Sequence, residues 1–329
     1  MSAGAQVIPD ILRLDAARET ERIEAEMRDI VFHRLRRKGA VVGVSGGIDS
    51  SVVAFLCARA FGPERVLLLF MPEADSSPES LRLGKLVASC LKVRSVVEDV
   101  GPLLEAARCY ERRDQAVRMV IPEYGGSDKC KIVLPNLLEH ERYAIFSVVA
   151  QSADGRIRRE RLSAPAYLGV VAATNFKQRA RKMMEYYYAD LLQYAVAGTP
   201  NRLEYDQGFF VKNGDGAADF KPIAHLYKSQ VYQLAEYLGV PEEIRMRPPT
   251  TDTYSLEQSQ EEFYFTLPLE KMDLCLYGKT NGIQAEEIAP LAGMTEAEVE
   301  RVYNMIDAKR RMARYLHSEP LLVEPLEQE

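Results

Sequence analysis

Cysteine is scarce and scattered in this chain. The five, Cys57, Cys90, Cys109, Cys130 and Cys275, are odd in number, widely spaced and without a Cys-x-x-Cys pair, which excludes a disulfide scaffold or a zinc site as the expected framework. Histidine is scarcer still: His33, His140, His225 and His317 set up no Cys-His or Ser-His arrangement, so no covalent enzyme intermediate is expected. Positive charge is not in excess, since 42 Lys and Arg stand against 48 Asp and Glu for a net −6, and a chain without clustered cations is not expected to bind nucleic acid nonspecifically. No apolar run approaches the length of a bilayer span, and Met1-Ser2-Ala3-Gly4-Ala5-Gln6 offers neither a basic start nor an apolar signal core. A cytoplasmic protein with no membrane and no nucleic-acid partner is the expectation. There is no internal repeat.

What the chain does have is one stretch around which the rest is organised. Val41-Val42-Gly43-Val44-Ser45-Gly46-Gly47-Ile48-Asp49-Ser50-Ser51 reads as a buried strand, a glycine turn and the first turn of a helix. Gly46 and Gly47 can take backbone angles closed to other residues, and the first N–H groups of a helix lack partners, so the turn is an anion site. Ser45, Ser50 and Ser51 add hydroxyl donors. Asp49 would repel a bare phosphate and makes sense with a magnesium ion between the two. No lysine follows the glycines, which separates the string from a Walker loop. Ser-Gly-Gly-Ile-Asp-Ser instead resembles the pyrophosphate loop of the ATP pyrophosphatases, which split ATP between its α and β phosphates. A serine-capped strand-to-helix turn is the plainer alternative.

With 329 residues and 47% hydrophobic content the chain can bury a full core. Residues Asp15 to Lys38 carry Ile23, Met27, Ile30, Val31 and Leu35 at helical spacing, and predict an amphipathic helix. Val52 to Phe61 continues the loop helix to Gly62-Pro63, Arg65 to Phe70 is a second buried strand, Glu79 to Leu91 a helix and Val93 to Val97 a third strand. In an open parallel sheet ligands collect beyond the carboxyl ends of the strands, so the loop Met71 to Pro78 should lie beside the phosphate loop, where adenine and ribose could bind. Further on, Tyr143 to Val149 and Arg156 to Leu162 flank Asp154-Gly155 as a hairpin. Arg156, Arg158, Arg159 and Arg161 on its second run could hold a substrate phosphate, though a solvated or partner-facing strand carries more weight. A helix opens at Asn175 and runs towards Asp190, and Leu191 to Val196 is expected to be a strand. Ile283, Ile288, Leu291, Met294, Val299, Val302 and Ile306 mark C-terminal helices that pack a core.

The segment after that strand carries a family resemblance. Gly198-Thr199-Pro200-Asn201-Arg202-Leu203-Glu204, Gly208 to Gly216, Asp219, Lys221-Pro222-Ile223, Leu226-Tyr227-Lys228 and Pro248-Pro249-Thr250 resemble, in order and spacing, the NAD synthetases, which amidate nicotinic acid adenine dinucleotide at the expense of ATP. The resemblance covers about Ile23 to Tyr315. It implies a doubly wound parallel α/β sheet with helices on both faces, of the adenine nucleotide alpha hydrolase kind, with an inserted β-hairpin and a C-terminal helical segment. It implies ATP as co-substrate, contacted by Gly43, Ser45, Gly46, Gly47, Asp49, Ser50, Ser51, Thr199, Lys228 and Thr250. Asp49, Lys228 and Thr250 fall at catalytic positions, Asp49 and Glu204 at the magnesium positions, and Arg179, Lys212, Asp219 and Lys309 where the dinucleotide is held. Taken singly, Arg179 and Arg181 are also ordinary helix-surface residues, Asp219 a turn cap and Thr250 a helix cap. An ammonia-dependent, AMP-forming reaction through an acyl adenylate is implied, as is a homodimer. No fused amidase domain is expected at this length, which leaves a separate glutaminase open as the ammonia source.

Three features depart from the family pattern. The chain between Asp99 and Asn175 is longer than expected by roughly forty residues. Ala308-Lys309-Arg310 stands where a His-Lys pair is expected, and Glu261-Glu262 followed by Phe263-Tyr264-Phe265-Thr266 replaces an Asp-Glu pair and a small leucine-glycine segment. All three concern the acid substrate or the loops over it, so a related ligase that amidates a different carboxylic acid is the alternative. A tRNA-thiolating relative is disfavoured by cysteine spacing and net charge, and a non-catalytic nucleotide binder by intact Asp49, Glu204 and Lys228. The expected division is an N-terminal helical segment over 1–40, the α/β domain over 41–250 with the insertion at about 110–172, C-terminal helices over 251–316 and a disordered tail over 317–329.

Overall fold

Short, fully apolar strands need cover on both faces, and this requirement dictates the architecture. The computed structural model describes residues 9–125, 127–134, 146–250 and 253–324. In chain order the elements are α1 (Ala16–Arg28), β1 (Ala40–Gly43), α2 (Ile48–Phe61), β2 (Val66–Phe70), α3 (Pro78–Leu91), β3 (Arg94–Val97), α4 (Gly101–Ala106) and α5 (Cys109–Arg118). Then come β4 (Lys129–Val133), β5 (Ser147–Gln151), β6 (Ile157–Arg161), α6 (Ala164–Leu192), β7 (Ala195–Ala197) and α7 (Arg202–Gln207). Last are α8 (Lys228–Leu238), α9 (Glu242–Arg245), α10 (Leu269–Thr280), α11 (Ala285–Ala292) and α12 (Glu296–His317).

The main sheet has the order β3-β2-β1-β7, and all its pairs are parallel. Side chains alternate between its faces. Val41, Leu67, Leu69 and Val196 pack with Ala189 and its neighbours on α6, while Ala40, Val42, Leu68, Phe70 and Ala197 join Ile23, Val53, Val87 and Val231 from α1, α2, α3 and α8. The expected doubly wound sheet is therefore present, with helices on both faces. The chain leaves β1 towards β2 on one side and returns through β7 on the other, so the strand order reverses beside β1. A crevice opens there at the carboxyl ends.

Several boundaries differ from the sequence reading. The first helix stops at Arg28 and continues as a π-helical turn, Asp29–Arg34. α6 starts at Ala164, capped by Ser163, rather than at Asn175, and it runs on through Leu191 and Leu192. The strand expected over Leu191 to Val196 is Ala195–Ala197, because the helix ends only at Gln193, in the left-handed conformation. The hairpin gains a partner: β4-β5-β6 is a three-stranded antiparallel sheet with Lys129 opposite Gln151 and Ser147 opposite Arg161. Residues 143–145 of the expected first run lie outside the described residues. β6 is exposed along its whole length, arginines included. Of the expected C-terminal core, Ile288, Val299, Val302 and Ile306 are buried, with Ile283 and Met294 packed against them, whereas Leu291 turns outward. Beyond α12 the described residues to 324 form no helix or strand, and 325–329 lie outside them. Among the described residues no helix is long and apolar enough to cross a membrane.

A buried ionic cluster fastens the insertion to the sheet. Lys177 of α6, fully buried, donates to Glu73 Oε1 at 3.1 Å, Asp75 Oδ2 at 2.6 Å and the Thr253 carbonyl at 2.7 Å. Arg113 of α5 reaches the same Asp75 oxygen at 2.5 Å, and Tyr110 donates to Glu73 at 2.8 Å. Removing one partner from such a cluster leaves charge buried and unmatched. Lys177→Met is expected to lower unfolding free energy by about 3 kcal/mol, and urea denaturation checks it; a loss under about 1 kcal/mol would mean that the cluster behaves as a solvated one.

Candidate active site

The glycine turn is built as the sequence suggests. Gly46 adopts φ +74°, and a Cβ there would lie 2.6 Å from the Ser80 carbonyl oxygen, so both conformation and space demand glycine. Gly47 is the N-cap of α2 with no side-chain cap, which leaves the first N–H groups of the helix for a ligand. The Ser50 and Ser51 hydroxyls donate to the Gly47 carbonyl at 3.1 and 2.8 Å, and Ser45 Oγ accepts from Gly47 N at 3.3 Å. α2 is buried on nearly every side, so this anion site is anchored in the core.

A cavity of about 710 Å³ opens from the turn across the carboxyl ends of the strands. Gly43, Ser45, Gly47, Asp49, Ser50, Thr199, Glu204, Lys228, Thr250, Arg179 and Lys212 all line it. Gly46 and Ser51 support it from behind: Ser51 is fully buried, and the Cβ direction of Gly46 faces α3. Met71, Pro72, Ser76 and Ser77 line it from the loop after β2, where the sequence placed a nucleoside.

At its floor three charged groups meet from distant parts of the chain. Lys228, the first residue of α8, pairs with Asp49 of α2 through Oδ2. Burial opposes its charge, yet Asp49 and Glu204 outweigh burial and hold the ammonium above the ordinary lysine value. Burial first, and then the charge of Asp49, push Glu204 up to about 8. Asn201 caps α7 in a reciprocal box with Glu204 and donates to Asp49 Oδ1 at 3.0 Å, while Gln260 donates to Glu204 Oε1 at 2.9 Å. A hard divalent cation fits two carboxylates whose proximity disfavours their joint ionisation. No group of three or more His, Cys, Asp or Glu that could hold a metal occurs among the described residues, so an ion at Asp49 and Glu204 would draw its other ligands from phosphate and water, as magnesium does.

Two expected contacts are elsewhere. Asp219 does not line the cavity; it accepts Val196 N–H at 2.7 Å and the Tyr186 hydroxyl at 3.2 Å, and so braces the end of β7. Lys309 also stays out of the lining: its Nζ donates to the Tyr264 carbonyl at 2.6 Å and lies 4.0 Å from that ring. The sequence reading missed Asn201, whose Asn-x-x-Glu capping signature was legible, and Asp273, whose carboxylate caps α8 by accepting from Lys228 N at 3.1 Å and Ser229 N at 2.7 Å. No local signal marks a cap that arrives from another helix 45 residues away.

Burial pulls Lys309 down to about 7. A lysine depressed in the folded state binds fewer protons than in the unfolded chain between that value and its ordinary 10.5, so stability rises with pH across this window and is lost as pH falls through 7. Lys309→Met should remove that rise. Urea midpoints of wild type and variant at pH 7 and 9.5 measure it, and parallel slopes would contradict it.

The profile described as NAD synthase matches residues 19–154 and 130–314. The chain is 61% identical to the NH(3)-dependent NAD(+) synthetase of Mesorhizobium japonicum over 95% of this chain and 98% of that one. It is 59% identical to the protein of that name from Rhizobium meliloti, over 97% and 95%. Among solved structures, an NH3-dependent NAD synthetase from Campylobacter jejuni in complex with the nitrate ion has the same fold, with a TM-score of 0.62 at 22% identity over 95% of this chain and 100% of that one. An NMN synthetase from Francisella tularensis has a TM-score of 0.60 at 20% identity, over 94% and 99%. With a family profile spanning most of its length, around the pyrophosphate-type loop and the Asp49, Glu204 and Lys228 cluster, the chain belongs to the NAD synthase family.

Proposed function

We propose that the chain is an ammonia-dependent NAD synthetase, an ATP-dependent carbon-nitrogen ligase that adenylates the carboxylate of nicotinic acid adenine dinucleotide and amidates it. The observation that carries this reading is the meeting of Asp49, Lys228 and Glu204 at the mouth of the glycine turn, in a cavity that Arg179 and Lys212 also line. A carboxylate is a poor acceptor for ammonia. Its oxygen therefore attacks the α phosphorus of ATP, the bond to the β phosphate breaks, and pyrophosphate leaves into the turn, where the helix N–H groups receive its charge. Lys228 offsets charge on the α phosphate while five oxygens surround phosphorus. Asp49 and Glu204 would hold magnesium, which when bound neutralises phosphate oxygens. Ammonia then attacks the acyl carbon, AMP leaves with the bonding electron pair, and the nitrogen loses a proton to give the amide.

The remaining assignments follow the same line. Ser45, Ser50, Thr199 and Thr250 are proposed to contact ATP, and Arg179 and Lys212 the dinucleotide phosphates, for which an arginine fork is apt. Both long cations are held near the cavity: Arg179 Nε donates to the Lys212 carbonyl at 3.3 Å, and Lys212 Nζ to the Ser318 and Tyr315 carbonyls at 2.8 Å each. A homodimer is proposed in the cytoplasm, supported by an exposed apolar stripe, Met183, Tyr187 and Leu191, at four-residue spacing on α6. Ammonia would reach the site free or from a separate glutaminase.

Asp49→Asn is expected to cut dinucleotide-dependent ATP–pyrophosphate exchange by about a hundredfold or more while the far-ultraviolet circular dichroism stays that of wild type; exchange at the wild-type rate would refute the role. Ammonium should support AMP release in the presence of magnesium. Glutamine as sole nitrogen source, or chelation of magnesium, should abolish it, and turnover on glutamine alone would overturn the nitrogen assignment.

A further inference from the structure

Gln207 ends α7 one turn beyond Glu204, so the two side chains share a helix face. Both line the cavity. Gln207 is 1% exposed, and neither its Nε2 nor its Oε1 has a hydrogen-bond partner among the described residues. No other described side chain leaves two buried polar atoms in this state. An unpaired amide donor and acceptor each cost desolvation, and a leucine of similar volume would avoid both costs. The residue makes sense if its partners arrive with a ligand.

That ligand must accept one hydrogen bond and donate another. Phosphate oxygens only accept. A carboxyl group on its way to a primary amide meets both needs, because one oxygen is retained throughout and the nitrogen that replaces the other brings N–H donors. Position agrees with chemistry. Glu204 feels the charge of Asp49 beside the glycine turn, whereas Gln207 lies a turn further along α7, and Phe209, Phe263 and Tyr264 line the same cavity. Phe209 and Tyr264 stack with centroids 4.7 Å apart, and the Tyr264 hydroxyl donates to the Gln207 carbonyl at 2.7 Å, which fixes the helix end against this aromatic wall.

We propose that Gln207 is a substrate-binding residue that pairs with the reacting carboxyl group: Nε2 donates to the retained oxygen, and Oε1 accepts from the incoming ammonia and then from the product amide. This rests on the ligase reading above and deepens it. The test is steady-state kinetics of wild type, Gln207→Leu and Gln207→Met with ATP, magnesium, ammonium and nicotinic acid adenine dinucleotide, and thermal melting of the same three proteins without any of these ligands. In both variants the KM values for the dinucleotide and for ammonium should rise about tenfold, the effect of one lost hydrogen bond. KM for ATP should stay within about twofold, and the melting temperature should be unchanged or higher, since an unpaired buried amide has gone. Wild-type KM values for dinucleotide and ammonium in either variant would overturn the proposal. So would a lower melting temperature in both, which would show the amide to be paired within the ligand-free protein. Failure of the wild type itself to use the dinucleotide would instead overturn the ligase reading.

Discussion

Asp49, Lys228 and Glu204 come from the first turn of α2, the start of α8 and the middle of α7, and their mutual electrostatics set the terms for everything around them. Lys228 is almost wholly buried, and against that burial Asp49 and Glu204 together hold its ammonium above the ordinary lysine value. Burial, and then the charge of the same Asp49, push Glu204 up, so one lysine stands against two carboxylates that resist joint ionisation. The fold tolerates this by supplying neutral donors: the Asn201 amide for Asp49 and the Gln260 amide for Glu204. It also spends a buried carboxylate, Asp273, on the N–H groups that begin α8, which holds the lysine at the floor rather than in solvent.

The sheet explains why these segments can meet. Reversal of strand order beside β1 leaves a crevice between the turn after β1 and the segment after β7, and those two connections carry Asp49 on one side and Thr199, Asn201 and Glu204 on the other. α6 backs the sheet and then projects beyond it, where Lys177 and Arg181 grip the loop after β2 from behind. Arg113 brings the insertion into the same grip. The insertion is thus coupled through buried charge to cavity-lining residues such as Met71 and Ser76, although its outer strand, β6, is solvated.

What could be read from the sequence divides along physical lines. The glycine turn, the three strands and two helices around it, and the charged residues of the later motifs were legible, because each rests on local chemistry: apolar runs, positive φ, capping and hard oxygen donors. The start of α6 was not, since Ala164 to Thr174 is a run of small and apolar residues, and the buried stripe Ala166, Val170, Ala173 and Thr174 does not stand out from equally apolar outward neighbours such as Leu168. β4 was missed because five residues of mixed polarity become a strand only through pairing with β5. The inward turn of Lys309 and the bracing role of Asp219 depend on partners 45 and 23 residues distant. Residue type alone cannot distinguish such partners from a ligand.

Two of the departures from the family pattern, at Ala308-Lys309 and over 263–265, are physically one. Lys309, next to the missing histidine at Ala308, donates to the Tyr264 carbonyl and sits over the rings of Tyr264 and Phe265. Tyr264 stacks on Phe209 and holds the end of α7 through the Gln207 carbonyl. A change in α12 and a change in the 263–265 run therefore act on the same helix, the one that presents Glu204 and Gln207 to the cavity. Residues linked this closely do not contribute additively, so substituting either set alone towards the usual pattern would leave the other without its partner. The glycine-turn side of the cavity takes its geometry from where strand order reverses, whereas the side lined by Phe209, Phe263 and Tyr264 is a wall of side chains. That wall holds the end of α7 through the Tyr264 hydroxyl on the Gln207 carbonyl, so its composition bears on how Glu204 and Gln207 are presented.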